Sequence, residues 1–344
     1  MNVFSVPGLS FLLSGKVSPK EIEKIVEGLE ISPADDLYAG ESDPVNVAAL
    51  QVQLRRYSTL DSYIQNMSSY VSDAVNRRTQ LVCFPALAGL LPTTCLPQSQ
   101  RYLEELRVST PAELDASKLH RALSQLSDYI FDVYFQTMSA LAARHRVYIM
   151  AGSALYFEQD GLVHRAFLFN HRGELVGFQD KAGLTDLEAE LGIAPASEIR
   201  VFETPVGPLS ILIGSDADYF ETAHIAKALG ARILLCPSVF PGEYTPITST
   251  LGLNMRVQET KLYGVQSCLV GDTGLGFTVE GGCAVYAPNE MVKLKNGVVS
   301  KAGGSPGPDI ICVPLNLDRL DQLRCPYTQD RNRDLMHKYI DRLY

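Results

Sequence analysis

The chain has 344 residues, 46% of them hydrophobic and 20% charged, with a formal net charge of −9. That profile belongs to an ordinary globular protein long enough for one large domain or two small ones around a sizeable core. The acidic balance, without a basic run or basic helix, argues against a nucleic-acid or anionic-membrane partner, and no apolar run nears the roughly 20 residues that span a bilayer.

The first residues, MNVFSVPGLSFLLSG, are mildly apolar but lack a basic start and are broken by Pro7 and Gly8, so they do not read as a signal peptide. Residues 1–44 read as an extension ahead of the main domain. Within it Ser18-Pro19-Lys20-Glu21 has the pattern of a capping box with proline at the first helical position. Ile22, Ile25, Val26 and Leu29 then give one apolar stripe, which predicts a short helix lying across the domain surface or a partner subunit. From Ser32 to Pro44 the chain is an acidic, turn-rich link.

The main domain is expected over residues 45–330, with a tail at 331–344. Val45–Leu54 reads as a buried strand, and a helix follows Thr59 with Leu60, Tyr63, Ile64, Met67, Tyr70 and Val71 on one face. Leu81–Phe84 is a second strand. Ala116–Arg144 is a long amphipathic helix, and Val147–Ala151 returns as strand. Ala154–Phe157 and Val163–Asn170, with a turn at His171–Glu174 and a strand to Phe178, predict hairpins. From Val206 to Phe240 an apolar run, a sharp polar turn, a helix and a second apolar run follow in order. That is the arrangement that presents a nucleophile at the end of a strand, yet the apex is Gly214. A helix over Ser249–Leu262 and strands at Val265–Val270, Thr278–Glu280, Ala284–Tyr286 and Ile310–Leu315 complete the reading. Strands alternate with helices first and hairpins enter later, so two helix-covered sheets of mixed direction fit better than a closed (β/α)₈ barrel.

Seven cysteines lie at 83, 95, 236, 268, 283, 312 and 325, with neither CxxC nor Cys/His metal spacing. They read as reduced thiols of a cytoplasmic protein, and Cys83 and Cys236 as small buried hydrophobes. His120, His145, His164, His171, His224 and His337 are dispersed and receive no ligand role. Neither a metal nor a cofactor is implied.

Three stretches at strand ends can build one pocket: FPALAG at Phe84–Gly89, GFQDKAGLTDLE at Gly177–Glu188 and IGSDADYFE at Ile213–Glu221. Here the chain resembles the nitrilase superfamily, the carbon–nitrogen hydrolases. The family motifs are similar to FPE on the first stretch, a lysine segment on the second and ICYDxRFPE on the third. Ala228–Ala231 with Cys236-Pro237-Ser238, the segment Arg256–Gly271 and the hairpin Phe167–Lys181 resemble further family segments. The resemblance covers about Val45 to Arg324. It implies a four-layer α-β-β-α sandwich, and a homodimer packed through outer-layer helices with the tail crossing to the neighbour.

In that family a cysteine attacks the carbonyl or nitrile carbon, a glutamate acts as base and a lysine stabilises the tetrahedral intermediate. Residue by residue, the lysine falls on Lys181 and a second glutamate on Glu188. The base falls on Ala86 and the nucleophile on Gly214; the next motif positions are Ser215, Asp216 and Asp218. Alanine cannot take a proton, and losing a covalent nucleophile costs on the order of 10⁶ in turnover. Glycine keeps the bend of a nucleophile elbow without strain. Asp216, Asp218 and Tyr219 are expected to line the pocket. The expectation is a catalytically inactive homologue that binds a small amide- or carboxylate-like ligand or serves as a structural subunit.

Two alternatives stand beside it. Ser215 could replace the thiol, paired with Lys181 and with Glu188 or Asp216 as auxiliary acid or base, although a one-position shift on extended chain turns a side chain to the other face. Otherwise Tyr219 or Phe220 fills the pocket and the protein is purely architectural.

Overall fold

Alternation of side chains along each strand sets up three separate apolar layers. The computed structural model describes residues 17–31, 37–38, 44–158, 161–241, 244–245, 248, 250–303, 307–324, 334 and 338. In strand β1 (Val45–Gln53), Val45, Val47 and Ala49 point into one layer, while Ala48, Leu50 and Val52 point into another. Strand β7 (Ile233–Pro241) does the same: Ile233 and Leu235 share a layer with Val45 and Val47, and Leu234 and Cys236 face a third.

The strands form two halves of one sheet. The first runs β5 (Leu175–Asp180), β4 (Gly161–Phe169), β3 (Tyr148–Glu158), β2 (Leu81–Cys83), β1 and β12 (Asp309–Leu315). The second runs β6 (Leu209–Ile211), β7, β8 (Tyr263–Asp272), β10 (Ala284–Tyr286) and β11 (Val298–Lys301), with β9 (Thr278–Glu280) bridging the ends of β7 and β8. Gln51–Gln53 pair with Cys268–Val270 and join the halves.

The middle layer is filled mainly from strands of both halves, with Leu317 and Leu320 added from the helix that follows β12. One outer layer lies under α2 (Leu60–Val75) and α4 (Ala116–His145), which contribute Tyr63, Ile64, Met67, Ile130, Tyr134 and Met138. The other lies under α6 (Phe220–Ala228) and α7 (Met255–Thr260), through Ala223, Ala226 and Val257. This is a four-layer α-β-β-α sandwich, as the resemblance implies. Each layer needs its apolar side chains: shortening a fully buried leucine such as Leu50 to alanine would cost about 2–5 kcal/mol. None of the described helices is long and apolar enough to cross a membrane.

Helix α1 (Pro19–Glu27) begins where the capping pattern places it, with the Ser18 side chain accepting from the Glu21 N–H. Its buried Ile22 and Val26 join the α2/α4 layer, and Arg144 donates to the Leu29 carbonyl. Two expectations change. The strands predicted at Val147–Ala151 and Ala154–Phe157 are one strand, β3, with a register shift between Met150 and Ser153 where Gly152 takes φ +79°. The helix predicted over Ser249–Leu262 is interrupted at Gly252 (ψ −127°), leaving one wide turn at Thr250–Asn254 before α7. The tail at 331–344, and with it the predicted crossing to a partner, lies almost wholly outside the described residues.

Candidate active site

Chain exits from β2, β5 and β6 come together around Lys181, linked by hydrogen bonds and a close approach at Gly214. After β6 the backbone turns sharply at Gly214, whose φ of +54° is the left-handed conformation that costs an L-residue roughly 1–2 kcal/mol. A Cβ placed on Gly214 would lie 4.0 Å from the Lys181 Nζ, and among the described residues no other heavy atom beyond its chain neighbours lies as near. The elbow therefore presents a bare backbone to the lysine.

Asp216 holds the elbow. Its side chain is buried, Oδ1 accepts from the Ala182 and Gly183 N–H groups (3.0 and 2.6 Å), and Oδ2 accepts from the Ile213 N–H (2.9 Å). Burial pushes its carboxyl up to about 6, against the pull of these backbone donors. The carboxylate that was expected to line the pocket is thus a clamp between the elbow and the Lys181 segment. The Ser215 hydroxyl donates to the Gly183 carbonyl at 2.9 Å, which directs its proton to the same segment. Asp218 is exposed and its carbonyl accepts from Arg256. Tyr219 is 56% exposed, with the edge of its ring beside Gly183.

On the opposite wall Lys181 is 5% exposed, and its Nζ donates to Glu188 Oε2 at 2.5 Å. Its backbone is pinned too, N–H to the His164 carbonyl and carbonyl to the Ala196 N–H. Glu188 reaches the lysine because it sits at the third position of the short helix α5 (Asp186–Glu190), where Thr185 and Glu188 cap each other. Burial would raise the Glu188 carboxyl, but hydrogen bonds and charge from His164 and Lys181 hold it well below the ordinary carboxylate value.

Behind this pair the His164 Nδ1 lies 2.8 Å from Glu188 Oε1, and His164 Nε2 lies 2.7 Å from the Ser153 Oγ. Ser153 Oγ also accepts from the Leu87 N–H at 3.1 Å. Burial keeps the imidazole below its usual pKa and neutral, more than Glu188 raises it. Ala86, one residue before Leu87, is 1% exposed. Sequence reasoning missed Ser153 and His164. They come from facing strands of the β3–β4 hairpin, so no local spacing links them. The available signal was a buried-looking polar residue inside each of two largely apolar strands, beside Arg165 in β4.

Cys236 lies behind the elbow, its thiol 3.8 Å from the Gly214 carbonyl and 3.3 Å from the Ser238 hydroxyl. Burial raises it to about 12, which holds it as an unreactive thiol. Among the described residues no group of three or more His, Cys, Asp or Glu side chains could hold a metal ion.

A buried lysine–glutamate pair facing a strand-end elbow, inside an α-β-β-α sandwich, defines a protein with a nitrilase-type scaffold. The carbon-nitrogen hydrolase family model matches residues 46–324, and the chain belongs to that family. The probable hydrolase YhcX of Bacillus subtilis is 25% identical over 311 residues, covering 87% of this chain and 56% of the relative. This chain thus spans little more than half of that protein's length. The omega-amidase NIT2 of Danio rerio is 24% identical over 212 residues, 58% of this chain and 73% of the relative. Among solved structures, Nit3 of Saccharomyces cerevisiae superposes with a TM-score of 0.61 at 19% identity, covering 87% of this chain and 99% of its own. A mutant of the amidase from Nesterenkonia sp. AN1, with an acetamide moiety added at its active site cysteine, superposes with a TM-score of 0.60 at 19% identity, over 87% and 98%. These two likenesses are of fold.

Proposed function

We propose that the protein is a carbon-nitrogen hydrolase homologue that binds a small amide- or carboxylate-like ligand between Lys181 and Gly214 without hydrolysing it. One observation carries this reading: the backbone position facing Lys181 Nζ bears no side chain, and a Cβ there would lie 4.0 Å from the ammonium. Covalent hydrolysis of an amide needs a nucleophile to attack the carbonyl and a base to take its proton. Gly214 supplies no nucleophile and Ala86 no base. The retained parts suit binding, since one Nζ donor goes to Glu188 and an ammonium has three. An amide or carboxylate oxygen above Gly214 can accept another.

Purified protein should release no ammonia above background from a panel of amides and nitriles. At least one amide or carboxylate should raise the melting temperature in a concentration-dependent way. Enzymatic release abolished by Ser215→Ala would establish instead the serine-based amidohydrolase. Neither turnover nor stabilisation across the panel would leave the chain an architectural subunit and end the ligand-binding reading.

A further inference from the structure

The Ser153–His164–Glu188 chain has the connectivity of a serine–histidine–acid triad, but Ser153 is fully buried and its oxygen already accepts the Leu87 N–H. A substrate cannot reach it. The end of the chain that meets the crevice is Lys181 Nζ.

We propose that Ser153 and His164 are positioning residues that fix the tautomer of the imidazole, the orientation of the Glu188 carboxylate and, through it, the aim of the Lys181 ammonium at the space above Gly214. The direction of the chain is set by the Glu188 carboxylate, which can only accept and already takes the Lys181 ammonium. His164 Nδ1 therefore carries the ring proton and donates it to Oε1, which leaves Nε2 as an acceptor. Ser153 Oγ, accepting the Leu87 N–H, turns its own hydrogen to Nε2. Oε1 is thereby committed, and Oε2 is left to Lys181 Nζ and to the Thr185 N–H and hydroxyl.

Backbone geometry supports the assignment. Leu87 takes φ +58°, unusual for a leucine, and Gly152 takes φ +79° at the register shift beside Ser153. A Cβ on Gly152 would come within 2.0 Å of the Pro85 carbonyl oxygen, so only glycine lets β3 approach the Ala86 turn there. Non-glycine residues in that region are costly and cluster where a structure must aim a group. The ionisable groups facing His164 are Glu188, Lys181 and Asp180, and Asp180 is taken up by Arg165. This assignment concerns how Lys181 is held, and it stands whether or not the crevice takes a ligand.

Imidazole ¹⁵N NMR of the unmodified protein gives the first readout: His164 should carry its proton on Nδ1 alone at neutral pH. A proton on Nε2 at neutral pH, in either a neutral or a charged ring, would overturn the proposal. The second readout is acetylation of Lys181 by an N-hydroxysuccinimide ester, mapped by peptide mass spectrometry and normalised to exposed Lys118. His164→Phe, which removes both links and frees the Glu188 carboxylate to turn away from the ammonium, should raise Lys181 labelling severalfold. His164→Asn keeps a donor near the Nδ1 position and should stay close to the parent. Ser153→Ala, which deletes one hydroxyl, should fall between. Equal labelling in His164→Phe and His164→Asn, or parent-like labelling in all three variants, would show that the chain serves packing alone.

Discussion

On the Lys181 wall of the crevice, Ser153, His164, Glu188 and Lys181 form an unbroken hydrogen-bonded chain, whereas on the Gly214 wall the position facing the ammonium is bare backbone. Yet the bare wall is not slack: Asp216 takes three backbone N–H groups and locks the elbow to the segment after Lys181. The difference teaches that the chemistry and the support of a site are separable. On the proposed reading, Gly214 and Ala86 stand where a nucleophile and a base would touch the ligand only at their tips, so residues this small leave the surrounding hydrogen bonds intact.

The comparison can be broken most severely from the Lys181 side. Glu188→Ala strips the partner from a buried ammonium and should cost about 3–5 kcal/mol in urea unfolding. A loss below about 1 kcal/mol would mean that water reaches the pair freely. On the other wall Asp216→Ala orphans three backbone donors, two of them on the Lys181 segment, and should cost about 2–3 kcal/mol.

Acidification sharpens the contrast because the groups move oppositely. His145, lowered to about 4 by burial and Arg144, and His164, also lowered by burial, bind fewer protons folded than unfolded. Their contribution is complete above pH 6.5 and is lost as the pH falls below it. Asp216, raised to about 6, binds more protons folded, so its contribution grows as the pH falls from 6 toward 3.8. Glu188, held low, loses its contribution only below its ordinary value of 4.5. Calorimetry should show the melting temperature dropping between pH 7 and 5, with a smaller drop in His145→Gln. A rise over that interval would contradict the histidine assignments.

The mildest change is Gly214→Ala. The methyl would meet only the Lys181 Nζ, at an ordinary contact distance of 4.0 Å, so the left-handed backbone is what resists it, and the cost should be about 1 kcal/mol. A loss of several kcal/mol would show that the space above Gly214 is packed.

Much of this was legible in the chain. Period-two alternation in β1 and the stripes of α2 and α4 gave the layers, and the motif stretches carry Lys181, Glu188 and Gly214, which meet in the structure. What escaped was polar and long-range. Lys181 reads in sequence as a lysine beside Asp180, with nothing local to announce its burial. Asp216 reads as a pocket-lining carboxylate but bonds backward to residues more than thirty positions away. Ser153 and His164 meet only because Gly152 bulges β3, a backbone event that a strand pattern does not encode.

The central claim is that the crevice holds no competent nucleophile. Treatment with fluoroacetamide, followed by peptide mass mapping, tests it most directly, since the related amidase carries the acetamide moiety of that reagent on its active site cysteine. The peptides containing Lys181, Ser215 and Cys236 should remain unmodified. A stoichiometric acetamide adduct on any of those three residues would contradict the account.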